Sequence, residues 1–105
     1  MGFKDVKAKV VKCLECGNFS HESRKNIDVK NLLMVGEITE DETIRLIHKT
    51  NGAQYETSPL HGDTSIMVHV FKPVENCRTW YIKFYFIDPN TVFISVHQGG
   101  MYEHR

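Results

Sequence analysis

Apolar residues recur at helical spacing in the first half of the chain and alternate in the second. From Asp5 to Cys16, the residues Val6, Val10, Cys13 and Leu14 fall on one helix face, and Gly17 follows where a left-handed C-terminal cap belongs. A polar loop is expected from Asn18 to Asn26. Val29, Leu32 and Leu33 then mark a short second helix, closed by Gly36. Thr39-Glu40-Asp41-Glu42 has the form of a capping box, in which each end residue's side chain accepts the other's backbone N–H. Ile44 and Ile47 supply the buried stripe of the third helix, and Asn51-Gly52 ends it.

Past Gly52 the period is two. Ala53 to Ser58 reads as a strand, and Pro59-Leu60-His61-Gly62-Asp63 as a loop. Ser65 to Lys72 alternates Ile66, Val68 and Val70 with Met67, His69 and Phe71. Pro73 to Asn76 turns the chain, and two further strands, Arg78 to Ile87 and Thr91 to His97, are joined by Asp88-Pro89-Asn90. The pattern predicts a single α+β domain over residues 1–105. Its N-terminal helices (about 4–51) pack on a C-terminal antiparallel β-sheet (about 53–97), and a loose tail spans 98–105.

The last hairpin can be given a register. A three-residue turn pairs Ile87 with Thr91, then Phe86 with Val92, Phe84 with Ile94 and Ile82 with Val96, an apolar face that must meet the helices. The opposite face pairs Tyr85 with Phe93, Lys83 with Ser95 and Tyr81 with His97. The same parity extended one strand further places His69 beside Lys83 or Tyr81.

Composition narrows what such a domain does. Thirteen basic residues balance thirteen acidic ones, which argues against a strongly basic nucleic-acid arm and against DNA binding by the chain alone. A local excess remains, since Lys4, Lys7, Lys9, Lys12, Arg24, Lys25 and Lys30 all lie in the first third. Three cysteines make no disulfide framework, no signal-peptide pattern stands ahead of them, and no apolar run is long enough to span a membrane. A reduced, cytoplasmic protein without a membrane partner is expected.

The line of Tyr81, Lys83, Ser95 and His97, with His69, fits a ribonuclease surface. RNA carries its own nucleophile, so the protein must supply a base for the 2′-OH proton, an acid for the leaving 5′-oxygen and a cation for the phosphorane charge. His97 serves as general base or acid, with His69 or His61 as its complement. Lys83 stabilises the phosphorane, and Tyr81 orients the phosphate or stacks on a base. The same residues also suit a solvated sheet face, because aromatic side chains favour strands and lysine protects them. Tyr85, Phe93 and Met67 would then form the partner patch of a non-catalytic protein-binding module.

Two zinc readings compete with these. Cys13-Leu14-Glu15-Cys16 has paired-thiolate spacing, with His21 or Cys77 as further ligands, yet it falls on the last turn of a helix whose apolar stripe claims Cys13. His61, His69 and His97 form the other set, although nothing in their spacing makes them converge. A packing role for the cysteines, and no metal or cofactor, is the expectation.

"YIKFYF", "VFISVH" and the upstream "YETSPLHGDTSIMVHVFKP" resemble the MqsR-type toxins of bacterial toxin–antitoxin pairs. Those carry a Tyr-Leu/Ile-Lys strand and a last strand ending near Ser-Phe-His, after a Tyr/Phe-Lys/Arg-Pro strand end. The resemblance covers residues 55–97 and implies a RelE-like α+β fold, metal-independent cleavage of free or ribosome-bound mRNA, and a cognate antitoxin protein that neutralises it. Tyr81 stands at the family's active-site tyrosine, Lys83 follows in the same motif, and His97 stands at its terminal strand histidine. The family's catalytic lysine and glutamine are not matched, the aligned positions being Glu56 and Val68.

Overall fold

A computed structural model describes residues 2–22 and 31–99. Helix α1 (Phe3–Cys16) buries Val6, Val10, Val11, Cys13 and Leu14, and Gly17 caps it at φ 77°, a conformation that costs glycine nothing. Strand β1 (Phe19–His21) precedes helix α2 (Glu40–Lys49). The capping box of α2 is formed: Thr39 N donates to Glu42 Oε1 at 2.9 Å, and Glu42 N donates to Thr39 Oγ1 at 3.1 Å. A 3-10 turn, Gly52–Gln54, leads into β2 (Tyr55–Leu60), β3 (Asp63–Phe71), β4 (Val74–Glu75), β5 (Arg78–Ile87) and β6 (Asn90–Gln98).

The architecture is α+β, with both helices on one face of a mixed, six-stranded sheet. Strand order is β1-β6-β5-β3-β2, and β4 pairs with β5 off that path. Phe71, Ile82, Phe84, Phe93 and Val96 meet Val6, Val10, Leu14, Leu46 and Ile47 in the main core. A smaller cluster, Val68, Val70, Tyr85 and Ile94, occupies the reverse face. Among the described residues no helix is long and apolar enough to cross a membrane.

Three expectations are corrected. The segment expected to loop from Asn18 holds β1, which pairs in parallel with β6, so the sheet is mixed rather than antiparallel. The exposed edge of β6 supplies the partners: Thr91 N donates to Asn18 O, and Glu22 N to Phe93 O. Phe19 anchors the strand edge-on against Phe93, 5.9 Å away. The expected second helix is also changed. Val29 lies outside the described residues, and 31–36 form turns docked on β6, where Leu32 N donates to Val96 O at 2.8 Å. Gln98 and Gly99, expected in a loose tail, are ordered into the sheet: β6 runs through Gln98, and Gly99 N donates to Thr79 O. Residues 100–105 lie outside those described.

The hairpin register divides in two. Tyr81 faces His97, Ile82 faces Val96 and Lys83 faces Ser95, as the apolar pattern requires. Beyond a bulge between Lys83 and Phe84 the pairs become Phe84 with Phe93, Tyr85 with Val92, Phe86 with Thr91 and Ile87 with Asn90. The turn is therefore one residue shorter than expected, and the bulge at Ile94 restores that residue before the chain reaches Ser95. The two departures cancel where the polar line lies. They exchange Phe93 and Ile94 between faces: Phe93 enters the main core and Ile94 joins the smaller cluster. With Phe93 and Tyr85 both buried, the expected Tyr85–Phe93–Met67 partner patch is not formed, although Met67 itself is exposed.

Candidate functional site

Strand register assembles a polar cleft on the face opposite the helices. Glu56, Val70, Lys83 and Ser95 stand opposite one another in turn across β2, β3, β5 and β6. The adjacent row brings Tyr81 against His97, their rings 5.4 Å apart at 24°, a stacked pair. With Ser58 and Gly99 these residues line a cleft of about 370 Å³. Val70, short and apolar, lies between Glu56 and Lys83 and leaves space above it for a ligand. Glu56 and His97 sit on strands three spacings apart, roughly 14 Å at the main chain. Each side chain spans part of that width from its own side.

Lys72 belongs to the same neighbourhood. It follows the last residue of β3, its N–H donates to Gln54 O at 2.8 Å, and its Nζ donates to Glu56 Oε1 at 3.0 Å. The described cleft thus gathers an ammonium group, a carboxylate, an imidazole and a phenol, with the Lys72 ammonium bonded to the carboxylate at its edge. Such a set can bind an anion at the lysines while a carboxylate and an imidazole move protons on either side of it.

Of the five residues singled out in the sequence, Tyr81, Lys83 and His97 come together. His69 does not. It faces Phe84 on the helix side of the sheet, because Phe71 must meet Ile82 in the core and this fixes Val70, not His69, opposite Lys83. There His69 Nδ1 lies 2.9 Å from Tyr55 Oη, and its ring stacks on Tyr55 at 10° and touches Phe84 and Phe86. Burial pushes its pKa below the ordinary value, and the Lys9 ammonium pushes the same way. Burial likewise raises the Tyr55 phenol. His61 lies in the exposed turn between β2 and β3, outside the cleft lining. Among the described residues the cleft lining holds no second histidine, and Glu56 is the carboxylate it holds.

The zinc sets are not assembled. Cys13 is buried with its Sγ donating to Pro89 O at 3.4 Å, whereas Cys16 is exposed. His61, His69 and His97 lie on a turn, on the helix face and on the cleft face respectively. Among the described residues no group of three or more His, Cys, Asp or Glu side chains is placed to hold a metal ion.

Sequence reasoning left Glu56 and Lys72 without a role. The signal was available in the β2–β3 hairpin: pairing Tyr55 with Phe71 puts an acidic residue on β2 near a basic residue just past the end of β3. Compared with known proteins, the chain matches no family model, no curated protein and no solved structure.

Proposed function

We propose that this cleft cleaves RNA, and that the protein is the toxin of a bacterial toxin–antitoxin pair, an mRNA endoribonuclease of RelE-like fold acting in the cytoplasm. The observation that carries the proposal is the convergence of Glu56, Lys83, Tyr81 and His97 on one cleft. The resemblance of residues 55–97 to MqsR-type toxins supports the biological setting and the neutralising antitoxin.

In the proposed reaction, Glu56 accepts the proton of a 2′-OH as that oxygen attacks phosphorus. The bond from phosphorus to the 5′-oxygen breaks, and protonated His97 gives its proton to that oxygen. The products are a 2′,3′-cyclic phosphate and a free 5′-hydroxyl. Attack and departure lie in line, so base and acid must approach from opposite sides of the phosphate, and Glu56 and His97 stand on opposite walls of the cleft. Lys83, between them in strand order, meets the charge that grows on the phosphorane. Tyr81 holds the imidazole plane by stacking and offers its hydroxyl to the phosphate or its ring to a base. The scheme calls for no metal, so activity is expected to survive chelation.

The test is a map of new RNA 5′ ends in bacteria after induction, with wild type compared against His97→Ala. It covers free and ribosome-bound mRNA together. Sharp new ends carrying 5′-hydroxyls, lost in the variant, are expected. An unchanged map at verified expression, or ends carrying 5′-phosphates, overturns the proposal.

A further inference from the structure

The ion pairs of the described fold differ in what they join. Lys9 with Asp88 ties α1 to the β5–β6 turn, and Arg45 with Glu75 ties α2 to β4, so each holds together elements that share no hydrogen-bond ladder. Lys72 with Glu56 is different. It links the ends of two strands that already pair along their length, and Lys72 N is itself bonded to Gln54 O. The fold gains little from this pair. Its position instead sets the charge of the cleft, because Glu56 lines the cavity in the same row as Lys83.

We infer that the Lys72–Glu56 ion pair is a latch opened by the substrate: an entering phosphate takes Lys72 as a second cation beside Lys83 and releases the Glu56 carboxylate to act as base. The inference rests on the ribonuclease reading of the cleft and adds to it a residue and an order of events.

Electrostatics supply the reason. A bare carboxylate facing the phosphate site would repel the substrate, and Lys72 cancels that repulsion while the site is empty. The same contact occupies Oε1, one of the two oxygens open to take a proton during cleavage. A pair serving both needs must exchange readily. The Glu56 side chain is 59% exposed and that of Lys72 31%, so water already competes for both ends and the pair is weak. Lysine suits the exchange, being a point charge on a flexible stem that can turn from carboxylate to phosphate without a fixed fork geometry. Lys72 lies just past the end of β3, two residues after Val70, and its Nζ is 3.0 Å from a carboxylate that lines the cleft, so a short swing of Nζ is enough.

The experiment uses a 2′-O-methyl RNA oligonucleotide, which binds without offering a 2′-OH to be cleaved. Its affinity is measured against salt for wild type, Lys72→Met and Glu56→Gln, each checked for folding by its amide spectrum. Lys72→Met should weaken binding and lower the slope of log K against log salt by about 0.7, the contribution of one phosphate contact on a single strand. Glu56→Gln should tighten binding by roughly 3- to 10-fold, since it removes a like charge and frees Lys72. The Glu56 carboxyl carbon, followed by NMR, should move on saturation of wild type to the position it holds in Lys72→Met, where no latch exists. An unchanged salt slope in Lys72→Met, a carboxyl signal that stays put, or no binding by wild type overturns the latch. The probe cannot be cut, so these results are independent of the 5′-end map. New ends with an immobile carboxyl signal defeat the latch alone, and a moving signal without new ends defeats the ribonuclease reading alone.

Discussion

His97 stands directly opposite Tyr81 across β5 and β6, with the two rings 5.4 Å apart and 24° from parallel. Stacking of this kind limits rotation of the imidazole and so fixes where its nitrogens point. Under the proposed mechanism the loss of His97 should be most costly: His97→Ala is expected to lower single-turnover RNA cleavage by about 10²- to 10⁴-fold. Tyr81→Phe keeps the stack and should retain more activity than Tyr81→Ala, which loses ring and hydroxyl together. Equal rates for the two tyrosine variants would assign the effect of Tyr81 to its hydroxyl alone and remove the stacking argument.

Lys83 occupies the middle of the row, between Val70 and Ser95. In the proposed reaction the charge it meets is larger in the transition state than in bound RNA, so its contribution should be larger there too. Lys83→Ala is expected to reduce kcat by a greater factor than it raises the dissociation constant for the uncleavable oligonucleotide. If both change by the same factor, Lys83 binds substrate and does no more.

How far the sequence disclosed these features depended on what lay beside each residue. The α1 stripe and the Thr39 box were legible because each needs only contacts within one helix and its cap. Strand β1 was hidden, since Phe19-Ser20-His21 carries no pattern long enough to announce a strand and takes its geometry from the edge of β6. Val92-Phe93-Ile94 is apolar throughout, so alternation could not say which residue turns inward, and the bulge went unseen. Both rows of β3 are largely apolar for the same reason, which left the side taken by His69 undecided until Phe71 was seen in the core. Tyr81, Lys83 and His97 were found because they share one hairpin with an unmistakable apolar face. Glu56 escaped because its strand alternates polar with polar, and its meaning comes only from pairing with β3.

Histidine burial gives the stability an acid limit. His69 and His21 both have pKa values pushed below 6.5 in the fold, chiefly by burial; Lys9 adds to the shift at His69, and Glu40 opposes it at His21. The unfolded chain therefore binds these protons at higher pH than the folded one does. Stability from this source is complete above about 6.5 and is lost as pH falls from there through the lowered folded values. Urea midpoints should fall between pH 7.5 and 5.5, and less so in His69→Gln, whose amide can still meet the Tyr55 hydroxyl. An identical acid dependence in that variant would show that His69 is not a source of the loss.

The exchange of Phe93 and Ile94 between faces makes the last prediction. Phe93 is fully buried, with its ring against those of Phe84 and Phe19 at 5.9 Å, whereas Val92 is only half-buried on the reverse face beside Tyr85. Truncating Phe93 leaves a cavity that neighbouring strands cannot close without moving the bulge, so Phe93→Ala should cost about 3–5 kcal/mol in denaturant unfolding. Val92→Ala removes less buried surface from a site open to water and should cost well under half of that. In an unbulged hairpin with a three-residue turn the order would reverse, because Val92 would then face the helices and Phe93 would sit beside Tyr85 on the cleft side. Comparing the two midpoints thus reads the register directly.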